Sequence, residues 1–154
     1  MIEEFQDPLE NYDAKEYTDP VERALAEEAS TAIQHKPFTT ISPETPVRDA
    51  LKTMSALGIS CLMVEASGRL AGVFSERDVL MKIGTEIGQF GDHPVSEFMT
   101  SNPIYVHETS ASASALCVMA VSGYRHVPIV DLDGTIQGIV SPQRVTEFLT
   151  EKFN

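Results

Sequence analysis

The chain has 154 residues, of which 42% are hydrophobic, and its formal net charge is −12. This length is enough for one domain with a substantial core, or for two small halves that share one. The excess of carboxylates disfavours nucleic acids and membrane surfaces as partners, because both are themselves negatively charged.

Neither a membrane segment nor an export signal is predicted. No apolar run is long enough to cross a bilayer, and the N-terminus lacks the basic and apolar regions of a signal peptide. Cys61 and Cys117 each lie inside an apolar segment, so we expect buried free thiols and a cytoplasmic protein. The four histidines lack the close spacing of zinc ligands, so no metal site is predicted.

Residues 1 to about 18 form a segment rich in Asp and Glu. Its larger apolar residues are Phe5, Leu9, Tyr12 and Tyr17. Two interpretations remain open: a mobile acidic arm, or an arm that docks these four side chains on a partner subunit.

A helix is predicted over residues 19–34. Asp19 supplies the N-cap, Pro20 suits the first turn, and apolar residues recur at helical spacing as far as Ile33. Most of these residues are Ala, so we expect a close contact of modest energy with the core or with a second subunit.

The next segment has the predicted element order β-α-β-β-α. Its elements are a strand at 38–41, a helix that opens at Thr45-Pro46 and stops at Gly58, strands at 61–64 and 70–74, and a helix from Ser75 to about Ile83. The order then returns after a predicted loop at 84–94 and a short helical entry at 95–99. The second set is a strand at 104–106, a helix at 110–122, strands at 127–130 and 135–140, and a closing helix from Ser141.

The two sets are related by a constant spacing. The pairs Ala50 and Ala115, Met54 and Met119, and Gly58 and Gly123 are 65 positions apart, whereas Val64 and Val130, Gly72 and Gly138, and Ser75 and Ser141 are 66 apart. Such a period indicates one supersecondary unit that occurs twice. A unit of this size is marginal alone, so we expect two copies packed about a pseudo-two-fold axis, with a cleft between them.

A strand, a turn and a helix start occur together at residues 72–80. Ser75 suits an N-cap, and Asp78 lies three residues later, as in a capping box. A helix start of this kind favours anions, because its N–H groups are unpaired and its dipole is positive there. The capping role alone also accounts for this pair of residues.

These residues resemble a tandem pair of cystathionine-β-synthase-type (CBS) domains. The resemblance is carried by the stretches 72–80, 99–103 and 123–131, and it covers about residues 36 to 152. It implies an α/β fold of two β-α-β-β-α repeats packed about a pseudo-two-fold axis, and the predicted N-terminal helix and acidic arm lie outside this pattern. The corresponding division is an acidic arm and helix at 1–35, a first motif at 36–92 and a second motif at 93–154.

The resemblance also implies a set of ligand-binding residues. Asp78, with Ser75 beside it, corresponds to the residue that holds ribose hydroxyls in the family. The base would lie against Met99, Ile104 and Tyr124. The remaining candidates are Val73 in the strand and, for phosphate, Arg77, Arg125 and His126.

A second, weaker cleft is expected between the two copies. Its candidate residues are Thr39, Ile59, Ser60, Ser141 and Arg144. Here Arg144 occupies the position of the aspartate, and a guanidinium cannot accept a hydroxyl proton. We therefore expect this cleft to be weak, empty or occupied by an anion.

The implied function is a non-catalytic regulatory module that senses an adenine nucleotide of the AMP, ADP or ATP type, with no cofactor required. Motifs of nucleotide-dependent or zinc enzymes are missing from the sequence, and Ser75 has no evident base partner. The alternatives are a sensor of another adenosyl ligand such as S-adenosylmethionine, or a structural dimerisation or adaptor module with vestigial clefts. The regulated protein is not identified by the sequence.

A homodimer is expected from the closing helices of the two repeats. The apolar residues assigned to their outer faces are Val79, Leu80, Ile83, Val145, Phe148 and Leu149. A contiguous apolar surface usually marks an interface, and pairing through these helices is also what the resemblance implies.

Overall fold

Two small β-sheets, one in each repeat, form the framework of the computed structural model, which describes residues 16–34 and 38–154. The predicted acidic arm therefore lies almost wholly outside the described residues. Before and within the first repeat, the elements are α1 (Pro20–Glu27), a 3-10 turn (Ser30–Ile33), β1 (Thr40–Ile41), α2 (Val47–Leu57), β2 (Cys61–Ala66), β3 (Arg69–Ser75) and α3 (Glu76–Asp78), which continues into a π-helical turn (Val79–Ile83).

The second repeat follows after a short helix, α4 (Ile87–Phe90), and a 3-10 turn (Val95–Glu97). Its elements are β4 (Thr100–Ser101), β5 (Val106–His107), α5 (Ser112–Ser122), β6 (Val127–Val130), β7 (Ile136–Val140) and α6 (Pro142–Phe153). The mixed α/β class and the two-fold repetition of the β-α-β-β-α order are thus confirmed.

The two sheets share the topology of three strands, and the first sheet gains β4, from the start of the second repeat, as a fourth. In the first sheet, β1 and β2 are parallel, while β2, β3 and β4 follow one another in antiparallel order. In the second, β5 and β6 are parallel and β7 is antiparallel to β6. A parallel pair requires a crossover, and α2 and α5 provide it. Both crossover helices end at a glycine with positive φ, 63° at Gly58 and 67° at Gly123, a conformation that favours glycine.

Backbone hydrogen bonds connect the two repeats symmetrically. The Ser30 N–H donates to the carbonyl of Ser110 at 2.7 Å, and the Val95 N–H donates to the carbonyl of Thr45 at 2.9 Å. Positions 30 and 95, like 45 and 110, are 65 apart, so the two bonds are related by the pseudo-two-fold axis. Isolated bridges at Ala29–Ala111 and Pro46–Pro94 show the same relation.

As a result, each hydrophobic core contains residues that precede the other repeat in the sequence. Ala24 and Ile33 belong to the core of the second repeat, where they lie with Val106 and Phe148. Val95 and Phe98 belong to the core of the first repeat. The N-terminal helix therefore packs on the core, as predicted, and specifically on that of the second repeat.

The helix predicted over 19–34 is shorter than expected, because α1 ends at Glu27. Glu28 and Ala29 are extended, and their carbonyls accept hydrogen bonds from the N–H and the hydroxyl of Ser112. Contacts with a distant part of the chain thus replace the last helical turns, despite the good helix propensity of the segment.

Two shorter segments also differ from prediction. The loop predicted at 84–94 contains α4. The strand predicted at 104–106 begins only at Val106, and Ile104 and Tyr105 are each 47% exposed. Asn102 has a φ of 47°, and Pro103 follows it, so the chain turns before it can enter the sheet.

The apolar residues assigned to a dimer surface are mostly in the two cores. Ile83, Val145 and Phe148 are 3%, 7% and 8% exposed, and Val79 and Leu149 pack against the same cores. Each repeat is so small that its closing helix must complete the core. Of the six residues, only Leu80 is strongly exposed, at 75%, with Met81 beside it at 76%.

We expect Ser112→Ala to weaken the connection between the repeats. The Ser112 side chain is fully buried, and its hydroxyl donates to the Ala29 carbonyl at 3.0 Å. The Ala29 carbonyl keeps the hydrogen bond from the Ala32 N–H at 2.9 Å, so the variant loses one hydrogen bond, worth about 1 kcal/mol, and we expect Tm to fall by roughly 2 to 4 °C. Thermal unfolding followed by circular dichroism measures the effect. Ser55→Ala, at an exposed position of α2, is the control, and equal Tm values for both variants would contradict the assignment.

Candidate functional site

A cleft of about 700 Å³ lies between the two repeats. It is lined by Ser60, Val73, Ser75, Glu76, Arg77, Asp78, Leu80, Met81, Lys82, Thr100, Pro103, Ser122, Gly123, Tyr124, Arg125, His126, Ser141, Pro142 and Gln143. Ser60 and His126, which are 66 positions apart, lie within hydrogen-bonding distance at 3.1 Å. The cleft therefore spans the pseudo-two-fold axis, and both repeats contribute to its wall.

Asp78 is the buried charge of this cleft, with a residue exposure of 5%. The end of β3 brings Ser75 to the start of α3, and Asp78 reaches back to it within one turn. One carboxylate oxygen accepts hydrogen bonds from the Ser75 N–H at 2.9 Å and from the Ser75 hydroxyl at 2.8 Å. The capping role inferred from the sequence is thus present in the structure.

The other oxygen of Asp78 is occupied as well. It accepts from Lys82 Nζ at 2.7 Å and from the Thr100 hydroxyl at 3.1 Å. The sequence predicts Asp78 as a free acceptor for a ligand. In the structure, by contrast, four donors of the same chain satisfy the carboxylate, so a ligand hydroxyl must displace one of them.

Positive charge gathers around the rest of the cleft, although the chain as a whole is acidic. Arg77 donates to the Gly123 carbonyl at 3.3 Å, which fixes its guanidinium beside the second repeat. Arg125 is exposed and makes no ion pair within residues 16–34 and 38–154. Together with Lys82, these two cations outnumber the carboxylates of Glu76 and Asp78 in the lining, and His126 lies in the same wall. A ligand with an anionic group fits this arrangement.

Seven of the nine residues predicted for the main site lie in the wall of this cleft: Val73, Ser75, Arg77, Asp78, Tyr124, Arg125 and His126. Met99 and Ile104 do not line it. The Met99 side chain packs on Gly72, where a Cβ would come within 2.5 Å of its sulfur. The neighbouring residues Thr100 and Pro103 take the places in the wall.

Sequence reasoning missed Lys82, Thr100 and the exposed pair Leu80 and Met81. Lys82 lies four residues after Asp78, and such spacing on a helix permits an ion pair, so this signal was available. Thr100 was not predictable in the same way, because its contact with Asp78 depends on the pairing of β4 with β3.

The residues predicted for a second cleft are distributed differently. Ser60 and Ser141 lie in the wall of the Asp78 cleft. Ile59 packs against the core of the first repeat, and the Thr39 carbonyl accepts from the Met63 N–H at 3.3 Å. Two of these four residues thus belong to the Asp78 cleft, and the second cleft stays a prediction.

Arg144, the residue that corresponds to Asp78 in the second repeat, is held by other residues of the chain. Its Nε donates to the Gln34 carbonyl at 3.2 Å, and its Nη1 lies 3.5 Å from carboxylate oxygens of Glu147 and Glu151. The Gln34 side chain packs directly on Gly138, as Met99 packs on Gly72 in the other repeat. Arg144 is thus engaged by the segment that precedes the first repeat.

The family model described as "CBS domain" matches the chain twice, at residues 29–85 and 95–151. The chain belongs to the CBS domain family. Both matches contain one complete β-α-β-β-α repeat, so the two CBS copies coincide with the repeat found from the spacing.

Relatives and solved structures agree with this assignment. The chain is 30% identical over 102 residues to a 17.7 kDa protein of Acidianus ambivalens, a stretch that covers 66% of this chain and 60% of that protein. The structure of CBSX2 in complex with AMP superposes with a TM-score of 0.72 at 23% identity, covering 82% of this chain and 98% of that one.

A second solved structure is the CBS domain pair of MJ0100 in complex with 5′-methylthioadenosine and S-adenosyl-L-methionine. It has a TM-score of 0.71 at 22% identity and covers 81% of this chain and 98% of that one. At this identity, the likeness to both structures concerns the fold.

The two cysteines of this CBS pair have different surroundings. Cys61 is buried as predicted, next to Ser60 and opposite Ser75 in the sheet. Burial, with a smaller contribution from the charge of Asp78, raises the pKa of the Cys61 thiol to about 12. Cys117 is exposed on α5, so the prediction of two buried thiols is wrong for this residue. Its side chain lies outside the face that carries Ala115 into the core.

We expect one thiol per folded chain to react with a disulfide reagent at pH 8. The thiolate is the reactive form, and a pKa near 12 keeps Cys61 protonated at this pH, while burial blocks access. Cys117→Ala should abolish the reaction of the native protein, and Cys61 should react only after denaturation. Rapid reaction of two thiols in the folded wild type would contradict this expectation and show that the start of β2 at Cys61 is open to the reagent.

Proposed function

We propose that this CBS pair is a non-catalytic regulatory module that binds an adenine nucleotide of the AMP, ADP or ATP type in the Asp78 cleft. The observation that carries the proposal is a buried carboxylate in the wall of a cleft between the repeats, surrounded by cationic side chains. Carboxylates accept hydrogen bonds from vicinal hydroxyls, and cations suit phosphates. The complexes of CBSX2 with AMP and of MJ0100 with adenosyl ligands support the same ligand class.

The proposed pose assigns a role to each part of the cleft. Ribose hydroxyls bind Asp78 and replace one of its present donors. The base lies near the half-exposed ring of Tyr124 and the main chain at Met99 and Ile104, where aromatic contact contributes binding energy without strict base selection. Phosphate is held by Arg77, Arg125 and His126. Ligand binding then changes how the module acts on a regulated protein, and no cofactor is needed.

A non-catalytic role agrees with the surroundings of Ser75. Its hydroxyl donates to Asp78 at 2.8 Å, and its N–H donates to the same oxygen. The side chain therefore caps a helix and holds the carboxylate, and this capping role accounts for the pair without catalysis.

The second candidate is a structural dimerisation or adaptor module with a vestigial cleft. It is favoured by one specific observation: four internal donors already satisfy Asp78. Thermal-shift measurements with adenine nucleotides and S-adenosylmethionine separate the two candidates, because a ligand that binds only the folded state raises Tm.

We expect Asp78→Asn to weaken nucleotide binding about 10- to 100-fold, because the neutral amide replaces the charged acceptor of the ribose hydrogen bonds. Calorimetry with AMP measures the change, and circular dichroism verifies that the variant is folded. The control is Asp92→Asn, which changes an exposed carboxylate paired with Arg48. Binding of AMP by Asp78→Asn as tightly as by the wild type, or two equivalent sites per chain, would show that the assignment is wrong.

A homodimer is part of the proposal, with Leu80 and Met81 as its remaining exposed apolar residues on the closing helix of the first repeat. We expect the wild type to have the mass of a dimer in light scattering at micromolar concentration, and Leu80→Glu to shift it towards the monomer. A charged side chain is costly to bury in an apolar contact. A monomeric wild type would contradict the proposal.

The place of action is also a proposal. No described helix has the length and apolar character needed to cross a bilayer. Cys61 and Cys117 are both unpaired, which fits a reducing compartment such as the cytoplasm.

A further inference from the structure

Lys82 contacts the groups of the Asp78 cleft that are proposed above to bind the ligand. Its ammonium donates to Asp78 at 2.7 Å, to the Phe98 carbonyl at 2.5 Å and to the Met99 carbonyl at 3.2 Å. An ammonium has three N–H donors, so all of them are used. Lys82 thus connects the carboxylate proposed for ribose with the main chain proposed for the base.

The π-helical turn explains how Lys82 reaches this position. The Gly84 N–H donates to the Val79 carbonyl, five residues earlier, at 2.8 Å. This wider turn buries Ile83 in the core. In the second repeat, the equivalent helix α6 is regular, and Phe148, the counterpart of Lys82, is the buried residue. The extra residue per turn therefore leaves position 82 on the cleft side.

Lys82 and the Thr100 hydroxyl share one oxygen of Asp78, and a ligand hydroxyl can take the place of Lys82 there if the lysine moves. The Lys82 side chain is 41% exposed, whereas the Asp78 side chain is 7% exposed, so the lysine can swing into the cleft and the aspartate cannot follow. Its departure also frees the carbonyls of Phe98 and Met99, which can accept from an amino group such as that of adenine.

We propose that Lys82 is the selectivity residue of the Asp78 cleft: a tethered cation that the ligand displaces, and whose charge then favours ligands that carry an anion. This inference rests on the proposed function, because it concerns the same cleft. A neutral nucleoside breaks the ion pair and offers no new partner to the ammonium. A phosphate attached to the same ribose offers the ammonium an anionic partner. A cationic sulfonium in the ligand repels the ammonium.

The test is calorimetry of adenosine and AMP with the wild type, Lys82→Met, Lys82→Arg and Lys52→Met. In Lys82→Met, nothing has to be displaced from Asp78, so we expect adenosine to bind roughly tenfold more tightly. The affinity for AMP rises less, because AMP loses its cationic partner in this variant. The preference for AMP over adenosine therefore falls by roughly tenfold. Lys82→Arg keeps the preference. Lys52→Met, at an exposed lysine paired with Asp49, is the control and leaves both affinities unchanged.

A second measurement does not depend on affinity. Acylation of lysines followed by mass spectrometry should label Lys82 more slowly than Lys52 in the ligand-free protein, and faster once adenosine, which gives the ammonium no new partner, is bound. Rapid labelling of Lys82 without ligand would show that the ammonium is not held in the cleft, and this overturns the inference.

The remaining outcomes distinguish the inference from the proposed function. If the wild type binds AMP but Lys82→Met shows the same preference for AMP over adenosine, the inference fails and the proposed function stands. A Lys82→Arg variant that behaves like Lys82→Met overturns the role of the charge. If neither the wild type nor Lys82→Met binds any adenine ligand, both the proposed function and the inference fail.

Discussion

The structure depends on the exchange of short segments between the two repeats. Neither repeat completes its core with its own residues alone: Ala24 and Ile33 complete the second core, and Val95 and Phe98 complete the first. The exchange is fixed by backbone hydrogen bonds, which are insensitive to side-chain identity. The two CBS copies can therefore diverge in sequence while their relative position, and the cleft between them, is maintained.

That divergence makes the two sides of the pair chemically different. Asp78 and Lys82 in the first copy correspond to Arg144 and Phe148 in the second. The first combination places an ion pair between a buried aspartate and a half-exposed lysine in the cleft, whereas the second sends the arginine to the Gln34 carbonyl and buries the aromatic ring in the core. Symmetric backbones thus carry one site with the features of a polar ligand site, and a counterpart whose cation is held by the chain itself.

The saturated state of Asp78 also affects how the proposed ligand-binding module responds. A buried carboxylate without partners would be costly, so the ligand-free state needs internal donors, and Lys82 and Thr100 provide them. Ligand binding is then an exchange of partners, and its free energy is a difference between similar contacts. Such an exchange moves a helix-borne side chain and a strand-borne one at once, which offers a physical route from ligand binding to the surface of the module.

The sequence by itself determined the repeated unit, its element order and most of the cleft. The constant spacing of glycines and helix caps can be measured along the sequence itself. Ser75 with Asp78 is a local motif whose geometry follows from the helix. Tertiary structure decided the rest. Good helix propensity did not carry α1 past Glu27, because Ser112 binds the carbonyls there. The burial of Ile83, Val145 and Phe148 follows from the small size of each core. Thr100 reaches Asp78 only because β4 pairs with β3, and such long-range contacts leave no local pattern in the sequence.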